Sequence, residues 1–90
     1  MANKRALKQE INFIAAELVN ECLLRDCTQN LPAGKCDALI DRILDIQEDF
    51  LRRVGTPDGK NNPQLVKKYY RKLVQDFDAA IGEVLKEMEA

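Results

Sequence analysis

Residues 37–54 read DALIDRILDIQEDFLRRV, and the rotation of this stretch settles what the rest of the chain must do. With Ile43 at zero and about 100° per residue, Leu39, Ile40, Leu44, Ile46, Phe50, Leu51 and Val54 collect on one face of a helix, joined by Cys36 just upstream. Asp37, Asp41, Arg42, Asp45, Glu48, Asp49, Arg52 and Arg53 fall on the other face, and Gln47 alone is polar within the apolar side. Such a helix has one face to bury, and the segments flanking it are long enough to supply the partners.

Upstream, Leu7, Ile11, Ile14 and Leu18 repeat at steps of four and three, with Ala15, Val19 and Cys22 widening the seam. Asn3 suits an N-cap, giving a first helix over about 3–26. The string CTQNLPAGK at 27–35 carries Pro, Gly and polar turn formers, so the helix stops there. So short a connection sends the second helix back antiparallel. That helix covers 36–54, with Gly55 as its C′ residue and a β-turn at Thr56-Pro57-Asp58-Gly59. Asn62 then caps and Pro63 takes the first position of a third helix over 63–89. Its seam is Val66, Tyr70, Leu73, Phe77, Ala80 and Val84, flanked by Tyr69, Ile81 and Met88, with Gly82 opposite. The expectation is an all-α, up-down-up three-helix bundle in a single domain spanning 1–90, which a dimer could complete into a larger bundle.

Composition agrees. Only 6% of the chain is aromatic and Trp is absent, which suits an aliphatic helical core. A net charge of −1 gives no overall attraction to nucleic acid or to an anionic membrane. No apolar run reaches the roughly 18 residues of a membrane span, and the start lacks the apolar core and cleavage site of a signal peptide. Three cysteines, an odd number, argue against a closed disulfide framework, so a reduced, cytoplasmic setting is expected.

Chemistry is scarce. The sequence has no histidine, which removes the usual general base, the Ser-His and Cys-His nucleophile pairs and most zinc and iron sites. Its glycines are scattered at Gly34, Gly55, Gly59 and Gly82, so no phosphate-cradling loop exists. Cys22, Cys27 and Cys36 gather where the first helix hands over to the second, but without C-x-x-C spacing. Packing is the reading for Cys22 and Cys36, on the buried seams, and no cofactor or metal is expected. Asp37, Asp41, Asp45 and Asp49 step along the wet face of the second helix, where carboxylates repel mildly and stay solvated. Enzyme activity is not expected.

Charge distribution says more. In an up-down-up bundle the start of helix one, the end of helix two and the start of helix three share one end. That end carries ten basic residues against four acidic, a net +6, and the remainder carries four against eleven, a net −7. Lysines in the first turns of helices one and three oppose the helix dipole, and a broken local rule points to function. Lys67, Lys68, Arg71 and Lys72 on the outer face of helix three, with Arg52, Arg53, Lys4 and Arg5 at the same end, are candidates for binding an anion or a partner. Tyr69 at the edge of that face could stack on a base. A solvated basic face would look the same.

Phe13 and Leu24 do not fit the seam of helix one, and Glu17 lies beside them. Scattered surface apolars are ordinary. The alternative is that Phe13, Glu17 and Leu24 form a self-association face, with two antiparallel copies setting each basic end against an acidic one. The leading expectation is a non-enzymatic interaction module that self-associates or docks on another protein. The alternative is binding of nucleic acid or another anion through the basic end; no membrane partner is expected.

The opening MANKRALKQEINFIAAEL, the segment RILDIQEDFLRRV and the tyrosine-bearing third helix together resemble a group of small, uncharacterised bacterial α-helical proteins. That resemblance implies an all-α fold and a cytoplasmic setting. It rests on helical pattern and brings no activity and no site residue with it.

Overall fold

The computed structural model describes residues 4–55 and 62–89. Three helices make up the described chain: α1 (Lys4–Cys27), α2 (Lys35–Gly55) and α3 (Pro63–Glu89). They form an all-α three-helix bundle, 50 × 20 × 18 Å, with bounds within a residue of those read from the sequence. The expected Asn3 cap and the Thr56–Gly59 turn lie outside the described residues.

The end of α1 and the starts of α2 and α3 each have a chemical cause. The amide of Asn30 donates to the Arg25 carbonyl (2.7 Å) and that of Gln29 to the Asp26 carbonyl (3.1 Å), the paired bonds of a Schellman motif closing α1. The motif requires a left-handed residue, and Gln29 supplies it at φ 61°. Leu31 then tucks into the core, and Lys35 donates back to the Pro32 carbonyl (3.1 Å) across Gly34. Gly34 has φ 82°, as the third residue of a type II turn demands. At α3 the Asn62 side chain accepts from the amides of Gln64 (3.0 Å) and Leu65 (3.4 Å), with Pro63 first in the helix, as the sequence reading has it.

The core runs the length of the rod in two joined clusters. At one end Leu18 and Cys22 of α1 pack with Cys36, Leu39 and Ile43 of α2 and Val84 and Met88 of α3, over Leu31. At the other, Ile11 packs with Phe50 and Val54 and with Tyr70, Leu73 and Phe77. Phe50 meets Phe77 edge to face, ring centroids 5.3 Å apart. These clusters place the start of α1, the end of α2 and the start of α3 at one pole, so the basic residues gather there and the acidic ones at the other.

One side chain of α2 differs from the sequence reading, and another acquires a partner that the reading did not name. Leu44, assigned to the buried face, is exposed, because it sits at the margin of the apolar arc where α1 no longer covers it. Gln47, the polar residue within that arc, is half-buried and donates to the Asn12 side chain at 2.7 Å, making a polar link between α1 and α2. Gly55 also departs from its expected role. It is the last residue of α2 and lacks a left-handed φ. Two of the last carbonyls of α2 are met from α3, where the hydroxyls of Tyr69 and Tyr70 donate to the Arg53 and Val54 carbonyls, each at 3.0 Å.

Candidate interaction surface

In this bundle α2 is the common partner: it packs closely on α1 and on α3, while α1 and α3 approach each other only weakly. The polar ties follow the same pattern. Arg42 of α2 bridges to Glu83 (3.0 Å) and Glu87 of α3, and Arg53 lies 3.9 Å from Asp76 and over the Phe50 ring. Between α1 and α3 the Arg25 guanidinium, held by Glu21 at 2.9 Å, reaches the Met88 carbonyl at 3.3 Å. Arg25 thereby sets the register of these two parallel helices, matching position i of α1 to about i + 63 of α3.

The loose side is an open apolar cleft. Leu7, Ile11 and Ile14 of α1 and Leu73, Val74 and Phe77 of α3 line it, with the exposed Glu10 and Asp78 beside them. The outer edge of α1 continues from Glu10 through Phe13, Glu17 and Leu24 at steps of three, four and seven. Phe13 is 66% exposed and Leu24 60%. The facing edge of α3 runs Lys67, Arg71, Val74, Asp78, Ile81 and Leu85, and Val74 and Leu85 are 40% and 43% exposed. The structure therefore puts Phe13, Glu17 and Leu24 on one continuous flank and joins to it the apolar Val74 and Leu85, which the sequence reading did not single out. A signal was present: 67, 71, 74, 78, 81, 85 carries the same four-three spacing as 6, 10, 13, 17, 20, 24. Whereas α2 and α3 confine their apolar residues to one stripe, α1 spreads them around most of its circumference. A helix apolar on more than one side has more than one surface to cover.

The basic end divides into two sets. Asp49 binds both Arg52 (3.0 Å) and Arg53 (2.9 Å), so these candidates for anion binding are already charge-paired within the fold. Arg53, Tyr69, Lys72, Leu73 and Asp76 border a shallow recess, and Asp76 places a carboxylate beside its cations. Tyr69 is half-buried with its hydroxyl committed to the Arg53 carbonyl, which ties the ring to α2 rather than leaving it to stack on a base. Lys67, Lys68, Arg71 and Lys72 are exposed and form no ion pair with another described residue; Lys4 and Arg5 are exposed on α1.

Cys22 and Cys36 are buried in one cluster and Cys27 is exposed. Burial holds the Cys22 thiol above its ordinary pKa, helped by the nearby Cys36, and burial with Asp26 and Asp37 does the same for Cys36. Both thiols are thus kept protonated, the opposite of nucleophile activation. Among the described residues no three side chains of metal-ligating type come together, and no helix is long and apolar enough to cross a membrane. No protein family, curated protein or solved structure matches the chain.

Proposed function

We propose that this protein is a small non-enzymatic interaction module that buries its α1/α3 flank against another protein surface, its own copy included. The observation that carries the reading is the open cleft between α1 and α3, which Val74 lines, with Phe13, Leu24 and Leu85 exposed farther along helix edges of matching periodicity. Scattered apolars need no explanation, but a row of them beside an uncovered cleft is the form a docking face takes. The absence of histidine and the protonated state of the buried thiols support the non-enzymatic part.

Sedimentation equilibrium from about 5 to 500 µM tests the self-association part, since a flank of this kind supports affinities in the micromolar range. The expected result is a dimer that the triple substitution Phe13→Ser, Leu24→Ser, Leu85→Ser returns to monomer, while unfolding free energy in dilute solution changes little. A wild-type chain that stays monomeric throughout overturns self-association. A second reading, anion binding, is favoured by one observation: Lys67, Lys68, Arg71 and Lys72 lie exposed without ion-pair partners among the described residues. It predicts nucleic-acid binding that falls steeply with salt and disappears on charge reversal of those four residues. No retardation of DNA or RNA at low salt removes it.

A further inference from the structure

We infer that the occupant of the flank is a second copy of this chain lying antiparallel, with α3 against α3 and Val74 at the two-fold axis. The inference rests on the interaction reading above and adds the partner and its orientation.

Two copies can meet face to face across this flank in two symmetric ways. A two-fold parallel to the helices sets α1 against the other copy's α3 and brings the two basic poles abreast. A two-fold perpendicular to them, lying in the plane of contact, sets α3 against α3 and α1 against α1, each running the opposite way. Only this second arrangement places each pole of net +6 beside a pole of net −7.

The local chemistry of α3 fits the same choice. Arg71 and Asp78 stand three and four residues either side of Val74; Val74 and Asp78 line the cleft, Arg71 shares their helix face by its spacing, and all three are exposed. Reversal about Val74 lays Arg71 of each copy close to Asp78 of the other, so one complementary pair occurs twice. On α1, the register fixed by Arg25 and Met88 carries the axis level with Ile11, about 3 Å along the helix from Phe13, so the two Phe13 side chains lie near each other across it. The largest exposed apolar side chain of the flank then sits near the centre of the contact, where burial contributes most. In the parallel arrangement Arg71 would find Glu10 instead, and this difference provides the test.

Charge-swap variants of the full chain, followed by sedimentation at low salt, separate the possibilities, and circular dichroism shows that each variant remains folded. Arg71→Glu alone and Asp78→Arg alone each weaken dimerisation by about tenfold or more, because every dimer contains the lost contact twice. The combined Arg71→Glu, Asp78→Arg variant recovers most of the loss. Recovery by Glu10→Arg in place of Asp78→Arg overturns the antiparallel arrangement in favour of the parallel one. A wild-type dimer indifferent to all three changes overturns the placement of Arg71 in the interface but leaves self-association standing. A monomeric wild-type chain removes the second copy altogether.

Discussion

Gln29 holds a left-handed backbone at φ 61° to close the Schellman motif, a conformation that costs a residue with a Cβ about 1 kcal/mol relative to glycine. Gln29→Gly is therefore expected to raise the unfolding free energy by up to about 1 kcal/mol, read as a higher urea midpoint at unchanged slope. Gly34→Ala should lower it by a similar amount: φ is 82° and nothing crowds the site, so backbone strain alone sets the cost. Glutamine carries no turn preference, which is why a reader of CTQNLPAGK finds the turn but not the residue that makes it. The cysteines were more legible, because Cys22 and Cys36 fall on the apolar periodicity and Cys27 does not. Their burial sets a pH dependence. The folded chain holds Cys22 and Cys36 protonated above their ordinary value of 9.0, so above that pH the unfolded chain releases protons that the folded one retains. Stability is then complete below pH 9.0 and falls as pH rises toward the folded values. Urea midpoints at about pH 7 and 9.5 should show this loss, and Cys22→Ala, Cys36→Ala should reduce it. At neutral pH a thiol reagent should modify Cys27 promptly, and Cys22 and Cys36 only on unfolding.

Among the elements, α2 was the most readable because its charged and apolar residues separate cleanly, yet its one misplacement, Leu44, and its one polar exception, Gln47, are instructive. Periodicity put Leu44 inside and marked Gln47 as an anomaly; what decides between them is how far α1 wraps, and Asn12 gives Gln47 a partner. The end of α2 was legible as a position but not as a mechanism. Gly55 announced a stop, while the carbonyls of Arg53 and Val54 are capped by Tyr69 and Tyr70, 16 residues along the chain. No local rule reveals a cap supplied by another helix. The two hydroxyls are unequal, since Tyr70 is buried and Tyr69 half-exposed. Tyr70→Phe leaves a buried carbonyl without its donor and is expected to cost about 1–2 kcal/mol, whereas water can replace the Tyr69 hydroxyl and Tyr69→Phe should cost about 0.5 kcal/mol or less. Urea unfolding of the two variants checks the order; equal losses would mean that the capping bonds do not depend on burial.

At the scale of the whole molecule, the two poles and the open flank come from different levels of the sequence, and only the first was plain to read. Pole charges need nothing but helix order, so they survive any error in rotation. The flank depends on how α1 and α3 lean against α2, a tertiary choice that leaves Val74 and Leu85 uncovered although Val74 borders the α3 seam. The two levels make a joint prediction about salt. In the proposed dimer the opposed poles and the Arg71–Asp78 pairs lie at the surface, where about 0.1 M salt screens charges beyond roughly 10 Å, so association should weaken as salt rises. Burial of Phe13 and Val74 does not weaken with salt. The dissociation constant should therefore climb by about tenfold between about 20 mM and 0.3 M sodium chloride and then level off. Sedimentation across that range distinguishes the possibilities: an association that vanishes is electrostatic alone, and one that ignores salt does not use the poles. A rise followed by a plateau requires both the charges and the apolar flank to lie within one contact.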